Sequence, residues 1–210
     1  MLKFDLHVHT DRSRDGFTHL KELPSLCRSR GLDGVAITDH NILCDNLPDG
    51  MIGIPGIEIS SSDGHVIGLG LSSPVPKGLS ADETINKIHR LGGIAIVPHP
   101  YDPFRSSVNP ESLKSRPDAV EVVNASSLLH SIYWKKARSF VLANRYPSVG
   151  GSDSHIPQTV GIAYTVVESE SFAVDSILAA IRAGSVRPEG RTVGLGNRFR
   201  KVLLHAMKSR

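Results

Sequence analysis

Leu2-Lys3-Phe4-Asp5-Leu6-His7-Val8-His9, running into the turn Thr10-Asp11-Arg12-Ser13-Arg14-Asp15-Gly16, is the stretch on which the reading of the whole chain depends. Its apolar residues and length suit a short strand. Side chains alternate along a strand, so His7 and His9 share one face and offer two imidazoles to one point in space. Taken alone, such a pair is equally an ordinary polar strand face or a corner of a metal site. The residues further along decide between these.

Outward from this strand, apolar runs alternate with helical patterns to the end of the chain. Strands are expected at residues 2–8, 34–38, 52–59, 66–71, 94–98, 119–123, 148–150 and 161–167, and helices at 18–30, 81–91, 110–115, 128–144 and 172–183. Gly31, Gly92 and Gly184 each follow a helical stretch, where a left-handed residue ends a helix, and Thr18 and Ser80 suit helix starts. Alternating strands and helices imply an α/β fold with a largely parallel sheet. Seven or eight strands in one chain can close into a distorted TIM-like (β/α)7 barrel, small and irregular because no helix fits between Ile59 and Val66. One domain is expected, with the barrel at residues 1–186 and a basic, helical tail of the same domain at 187–210.

The strand ends carry the chemistry. Asp39 and His40 follow one apolar run, Glu58 lies within the next, His99 closes another, and Asp153 and His155 follow Ser148-Val149-Gly150-Gly151. In parallel barrels the functional groups gather at the carboxyl ends of strands, so these residues converge with His7 and His9. Imidazoles and carboxylates are the ligand set of Zn, Mn and Fe, and a carboxylate can bridge two ions. His65 opens its strand instead of closing it, so strand-end logic alone does not bring it to the site. His19, His89, His130 and His205 lie on expected helices and read as solvated.

Composition excludes several classes. The 210 residues are 40% hydrophobic and 21% charged, with no apolar run near the roughly 20 residues that cross a bilayer and no basic-then-apolar leader, so a cytoplasmic protein without membrane contact is expected. Cys27 and Cys44 are too few for a disulfide framework and lack CxxC spacing. Seven of the 24 Lys and Arg but one of the 21 acids lie from Arg187 onward, leaving 17 basic against 20 acidic residues in the body. The basic tail suits either a phosphate-bearing partner such as nucleic acid or simple solvation.

His7-Val8-His9-Thr10 with Ser13, Asp15 and Gly16, Thr38-Asp39-His40, Gly56-Ile57-Glu58-Ile59-Ser60, His65 before Gly68-Leu69-Gly70, Pro98-His99-Pro100 and Gly151-Ser152-Asp153-Ser154-His155 together resemble the PHP (polymerase and histidinol phosphatase) domain family. The resemblance covers residues 1 to about 168 and implies a distorted seven-stranded barrel with up to three divalent metal ions. It implies that His7, His9 and Asp153 hold one ion, that Glu58 bridges to a second completed by His65 and His99, and that Asp15, His40 and His155 hold a third. Asp39 then reads as a supporting or backbone-capping carboxylate. Larger family members carry extra domains between these motifs; here none is present, and a relatively open cleft is expected.

Clustered divalent ions activate water and clamp phosphate oxygens, which points to phosphate-ester hydrolysis with Glu58, Asp153 and His155 at its centre. Arg105 is the first candidate for phosphate contact and Arg12 or Arg14 the second. Asn124 reads as a turn cap that could line the rim. No GxxxxGK spacing occurs, so nucleoside triphosphate binding is not supported. A small phosphomonoester, histidinol phosphate-like or a nucleotide, is the leading substrate. Oligonucleotide ends, ester or amide hydrolysis, and a non-catalytic metal-stabilised module are the alternatives. Few aromatics (one Trp, four Tyr, six Phe) disfavour base stacking.

Overall fold

The computed structural model describes residues 1–208. The terminal Ser209 and Arg210 of the basic tail lie outside the described residues. Its strands are β1 (Leu2–Val8), β2 (Gly34–Ile37), β3 (Ile52–Ser61), β4 (Gly64–Leu69), β5 (Ile94–Val97), β6 (Ala119–Asn124), β7 (Ser148–Gly151), β8 (Ala163–Val167) and β9 (Val186–Gly190). The helices are α1 (Leu23–Arg30), α2 (Ala81–Arg90), α3 (His130–Asn144), α4 (Val174–Ala183) and α5 (Leu195–Lys208). The sheet order is β7-β6-β5-β4-β3-β2-β1-β8-β9. β7 returns to β1 through a parallel bridge between Ser154 and Val8, with the His9 N–H donating to the Ser154 carbonyl at 2.8 Å, so the first seven strands form a nearly closed barrel.

β1, β2 and β3 run parallel, as do β5, β6 and β7, while β4 is antiparallel to both neighbours. The expected gap between Ile59 and Val66 is a tight β3–β4 hairpin. Reversal of β4 turns its first residues toward the carboxyl ends of the other strands, and His65 arrives at the site by this route.

Phe4, Leu6, Ile54, Ile67 and Ile96 fill the barrel and are buried. Each such side chain contributes roughly 1.5–3 kcal/mol on leaving water. α4 adds Ile177 and Ile181 to the cluster that holds Leu2, Ile94 and Ala119, the first residues of their strands. This helix therefore closes the amino end of the barrel with apolar contacts and leaves polar chemistry to the other end.

Local signals explain most boundaries. The Ser80 hydroxyl accepts from the Glu83 N–H while the Glu83 carboxylate accepts from the Ser80 N–H at 2.9 Å, a reciprocal cap that starts α2. Gly31 and Gly184 end α1 and α4 in the left-handed region, with φ of 65° and 79°. Thr18 is not a cap. A 3-10 turn at Leu20–Glu22 intervenes, and α1 begins beside Pro24, whose missing N–H costs nothing in a first helical turn. Residues 110–115 form only a 3-10 turn, Pro110–Ser112, because Asp82 captures the N–H groups of Lys114 and Ser115.

The tail after Arg187 is helical only in part. It opens as β9, paired antiparallel with β8 along the sheet edge, where Pro188 needs no partner for its missing N–H. Among the described residues no helix is long and apolar enough to cross a membrane.

Candidate metal centre

Seven elements deliver the nine candidate ligands to the carboxyl end of the barrel. His7 and His9 come from the end of β1, Asp15 from the turn after it, His40 from beyond β2 and Glu58 from within β3. His65 starts β4, His99 follows β5, and Asp153 and His155 follow β7. All nine expected residues converge there.

Glu58 is at the centre. Its Oε1 lies 2.9 Å from His65 Nδ1 and 3.1 Å from His99 Nε2. Its Oε2 lies 3.1 Å from His40 Nδ1, 3.2 Å from His9 Nε2 and 3.5 Å from His7 Nε2. A carboxylate touched by five imidazoles through both oxygens has the geometry of a bridge. Four sets of ligand atoms each lie within 4.8 Å of one another: His7, His9 and Asp153; His7, Glu58 and His99; His40, Glu58 and His65; and His9, Asp15, His40 and His155. The first set and the fourth, with His9 added, correspond to groupings that the resemblance implies. The remaining ligands divide around Glu58 differently, with His40 facing His65 across it.

The surroundings fit a cation. His7 Nε2 and His9 Nε2 are buried without a hydrogen-bond partner, as is Asp15 Oδ1, and such orphans are costly unless something coordinates them. The opposite nitrogen of His7 is occupied, with Glu121 Oε1 3.2 Å from Nδ1, and at His155, whose Nε2 faces Asp15 Oδ2 at 2.9 Å, the Asp153 carbonyl accepts from Nδ1 at 3.0 Å. These contacts hold the protons on Nδ1 and turn the Nε2 lone pairs into the cluster. Burial opposes charge on Glu58, but the imidazoles of His7 and His65 outweigh it and hold the carboxyl well below the usual range. Burial likewise opposes charge on Asp153, and Arg105 and His7 overcome it. Burial and the neighbouring His155 push the His9 imidazole down to about 3. Burial opposes charge on His7 and His40 too, but the surrounding carboxylates, Asp153, Glu121 and Glu58 at His7 and Asp15 and Glu58 at His40, raise both imidazoles above the usual value. Positive charge is thus favoured among these carboxylates, the charge that a metal ion would supply in place of those protons. His99 and Asp153 also take left-handed backbone angles, φ 33° and 50°, strain that non-glycine residues tolerate mainly where surrounding contacts hold them.

Supporting residues are as informative as the ligands. Asp39 accepts from the Thr10 N–H at 2.7 Å and the Thr10 hydroxyl at 2.6 Å, so it is a backbone cap that ties β2 to the turn after β1. Asn124 caps the N–H groups of Ser126 and Ser127 and also donates to Glu121 at 2.8 Å and Asp153 at 3.3 Å. Asp5 is fully buried and accepts from the backbone of Ser152 and Gly161, tying β1 to the loop that carries Asp153. A Cβ on Gly151 would sit 2.5 Å from the His7 Cβ and 2.7 Å from Glu121 Oε1, so only glycine fits there.

Seven of the nine candidate ligands, all but His7 and His9, line a cavity of about 280 Å³ together with Phe104, Arg105, Ser106 and Lys201. Arg105 bonds Asp153 and donates to the Ser126 carbonyl at 3.1 Å. Arg14 is exposed, and Arg12 turns to Cys44 and Asp45, so neither reaches the site. His19 and His89 pair with Asp11 and Asp118 away from the centre. His130 and His205 also lie outside it, their rings against Trp134 and Phe17. A larger cavity of about 500 Å³ lies at the other end of the barrel, but its Arg116 and Arg182 are matched by main-chain carbonyls and by Asp118. Glu121 and Lys201 were not anticipated. A lone carboxylate in the apolar run Ala119-Val120-Glu121-Val122-Val123 is a signal for the first, while the second lies on a helix whose return to the barrel no local pattern announces.

Comparison with known proteins agrees with this picture. The PHP domain model matches residues 5–99 and the PHP-associated model residues 132–186. An uncharacterized protein of Methanocaldococcus jannaschii is 38% identical over 141 residues, covering 59% of this chain and 82% of the relative. The fold is shared with a two-domain Bacteroides vulgatus protein described as containing a predicted PHP-like metal-dependent phosphoesterase, with TM-score 0.68, 18% identity, 97% of this chain and 69% of that one. It is shared also with a lesion-specific endonuclease of Pyrococcus furiosus, with TM-score 0.67, 15% identity, 89% of this chain and 57% of that one. Nine convergent candidate ligands, a nearly closed barrel and these matches lead to one conclusion: the chain belongs to the PHP domain family.

Proposed function

We propose that this protein is a metal-dependent phosphoesterase that hydrolyses a small phosphomonoester. The carrying observation is Glu58, both of whose oxygens lie within 3.5 Å of imidazoles, five in all, that converge from four parts of the chain. His7, His9, Asp15, His40, Glu58, His65, His99, Asp153 and His155 would hold up to three divalent ions, Zn, Mn or Fe by the chemistry of the donors. Bound there, such ions supply a water of near-neutral pKa and charge that clamps phosphate oxygens.

The chain's own residues do the rest. Glu121 and the Asp153 carbonyl fix the tautomers of His7 and His155. Arg105 sits at the cavity wall and presents its guanidinium to an entering phosphate dianion, with Asp153 and the Ser126 carbonyl holding its orientation. Water adds to phosphorus, the ester P–O bond breaks, and the products are inorganic phosphate and an alcohol.

The basic α5 favours a second substrate, the end of an oligonucleotide, for the same chemistry. Hydrolysis of phosphomonoesters, phosphodiesters and short oligonucleotides, read as released phosphate from the monoesters and as released alcohol or nucleotide from the diesters, across a salt series separates the two. A monoesterase keeps its KM as salt rises, whereas a nucleic-acid substrate loses affinity steeply. Hydrolysis of none of these compounds by metal-loaded protein contradicts both.

A further inference from the structure

α5 crosses the mouth of the site. Near its start, Arg198 donates to the carbonyls of Ser126 at 2.8 Å, Ser127 at 3.0 Å and Val193 at 3.0 Å. At its far end Lys208 donates to the Gly16 carbonyl at 3.1 Å and stands over the Phe17 ring. Between these anchors Lys201 reaches into the cavity that holds Asp15, Glu58 and Asp153, on whose wall Arg105 also stands, and no carboxylate lies within ion-pair distance of its ammonium among the described residues. Beneath the same helix lies a second cavity of about 220 Å³. It shares Arg105, Asp153, His155 and Lys201 with the first, and its remaining walls include Leu128, Ile156, Val193 and Val202, with Ser126, Thr159, Asn197 and Arg198 as polar points, the Arg198 guanidinium being taken up by its three carbonyls. The two spaces therefore adjoin at these four side chains, as a polar arm lined by the candidate metal ligands and a mainly apolar arm.

We propose that α5 is the substrate-selecting wall of the site: Lys201 binds the phosphate opposite the ligand cluster, and the cavity under the helix receives the leaving group, a compact, largely apolar ring alcohol rather than a polyol. This rests on the phosphoesterase reading and gives it a substrate class. A pocket lined by apolar side chains with a few polar groups is suited to a flat organic group. A second cation beside Arg105 offsets dianion charge that the ligand cluster leaves. The open cleft expected from the missing insertions is thus roofed by this short helix.

None of the α5 residues is buried, so substitutions along it spare the core. The test compares Lys201→Met, Lys201→Arg and Val202→Trp with wild type, each metal-loaded and checked by thermal melting. Phenyl phosphate and glycerol phosphate serve as substrates and inorganic phosphate as competitive inhibitor. Lys201→Met is expected to raise KM for both esters and Ki for inorganic phosphate about ten-fold or more, with kcat moving less, and Lys201→Arg to recover most of the loss. Val202→Trp, which crowds the apolar arm, is expected to cut kcat/KM for phenyl phosphate about ten-fold while affecting glycerol phosphate far less. Unchanged constants in either Lys201→Met or Val202→Trp overturn the role given to that residue. If wild type hydrolyses neither ester, the phosphoesterase reading fails by itself. Calorimetric binding of inorganic phosphate to wild type and Lys201→Met then still decides the role of Lys201.

Discussion

Glu121 Oε1 lies 3.2 Å from His7 Nδ1, and Glu121 Oε2 accepts the His99 N–H at 2.8 Å, so one buried carboxylate on β6 orients two ligands that come from two other strands. Glu121→Gln keeps the shape of the side chain and removes its charge. Metal affinity is expected to fall about 10–100-fold, as for other partners of metal-bound histidines, with little change in melting temperature. Competition titration with a chromogenic chelator checks it.

Glu58 has no substitute. Glu58→Gln loses the charge that faces His7, His9, His40, His65 and His99, and turnover is expected to vanish while far-UV circular dichroism stays native. An active Glu58→Gln protein would remove this residue from the centre of the mechanism.

Asp5 is a stability residue beside the site. Its carboxylate accepts the N–H groups of Ser152 at 2.8 Å, Gly161 at 2.7 Å and His7 at 3.3 Å, and the Ser152 hydroxyl. Asp5→Ala strands these buried donors, at about 1–3 kcal/mol for each group left unpaired. A loss of about 3 kcal/mol or more in denaturant unfolding is expected, and less than 1 kcal/mol would show that water replaces the carboxylate.

The thiols give a pH signature. Burial pushes Cys27 from 9.0 up to about 12 and raises Cys44 as well. Between those values the unfolded chain has released a Cys27 proton that the folded chain keeps, so stability is expected to fall as pH rises from about 9 to 12. Cys27→Ala should flatten that slope in equilibrium unfolding. Native protein at pH 8 should also resist alkylation at both thiols until it is denatured.

The site was more legible than its cover. His7, His9, His40, His99, Asp153 and His155 stand where apolar strands end, and an α/β barrel turns those ends to one mouth. His65 needed the family resemblance, because the reversal of β4 is a tertiary fact. β9 was hidden behind Pro188 and Gly190, which read as loop but are tolerated at a sheet edge. Arg12 and Arg14 show that neighbourhood along the chain is a poor guide to a side chain's direction: both flank the site in sequence and neither lines it. Lys201 was counted only as tail charge, since the contacts that fold α5 back, Arg198 to carbonyls and Lys208 to Gly16, leave no periodic trace.

The central claim is that these nine side chains hold divalent ions that make the protein a phosphoesterase. The most direct test is titration of chelator-stripped protein with Mn, following bound metal by mass spectrometry and phosphate release from phenyl phosphate in the same samples. Activity rising with bound metal to a plateau at two or three ions per chain is the predicted result. Metal bound to that level with no phosphate released from any ester offered, or activity that survives complete removal of metal, would contradict the claim.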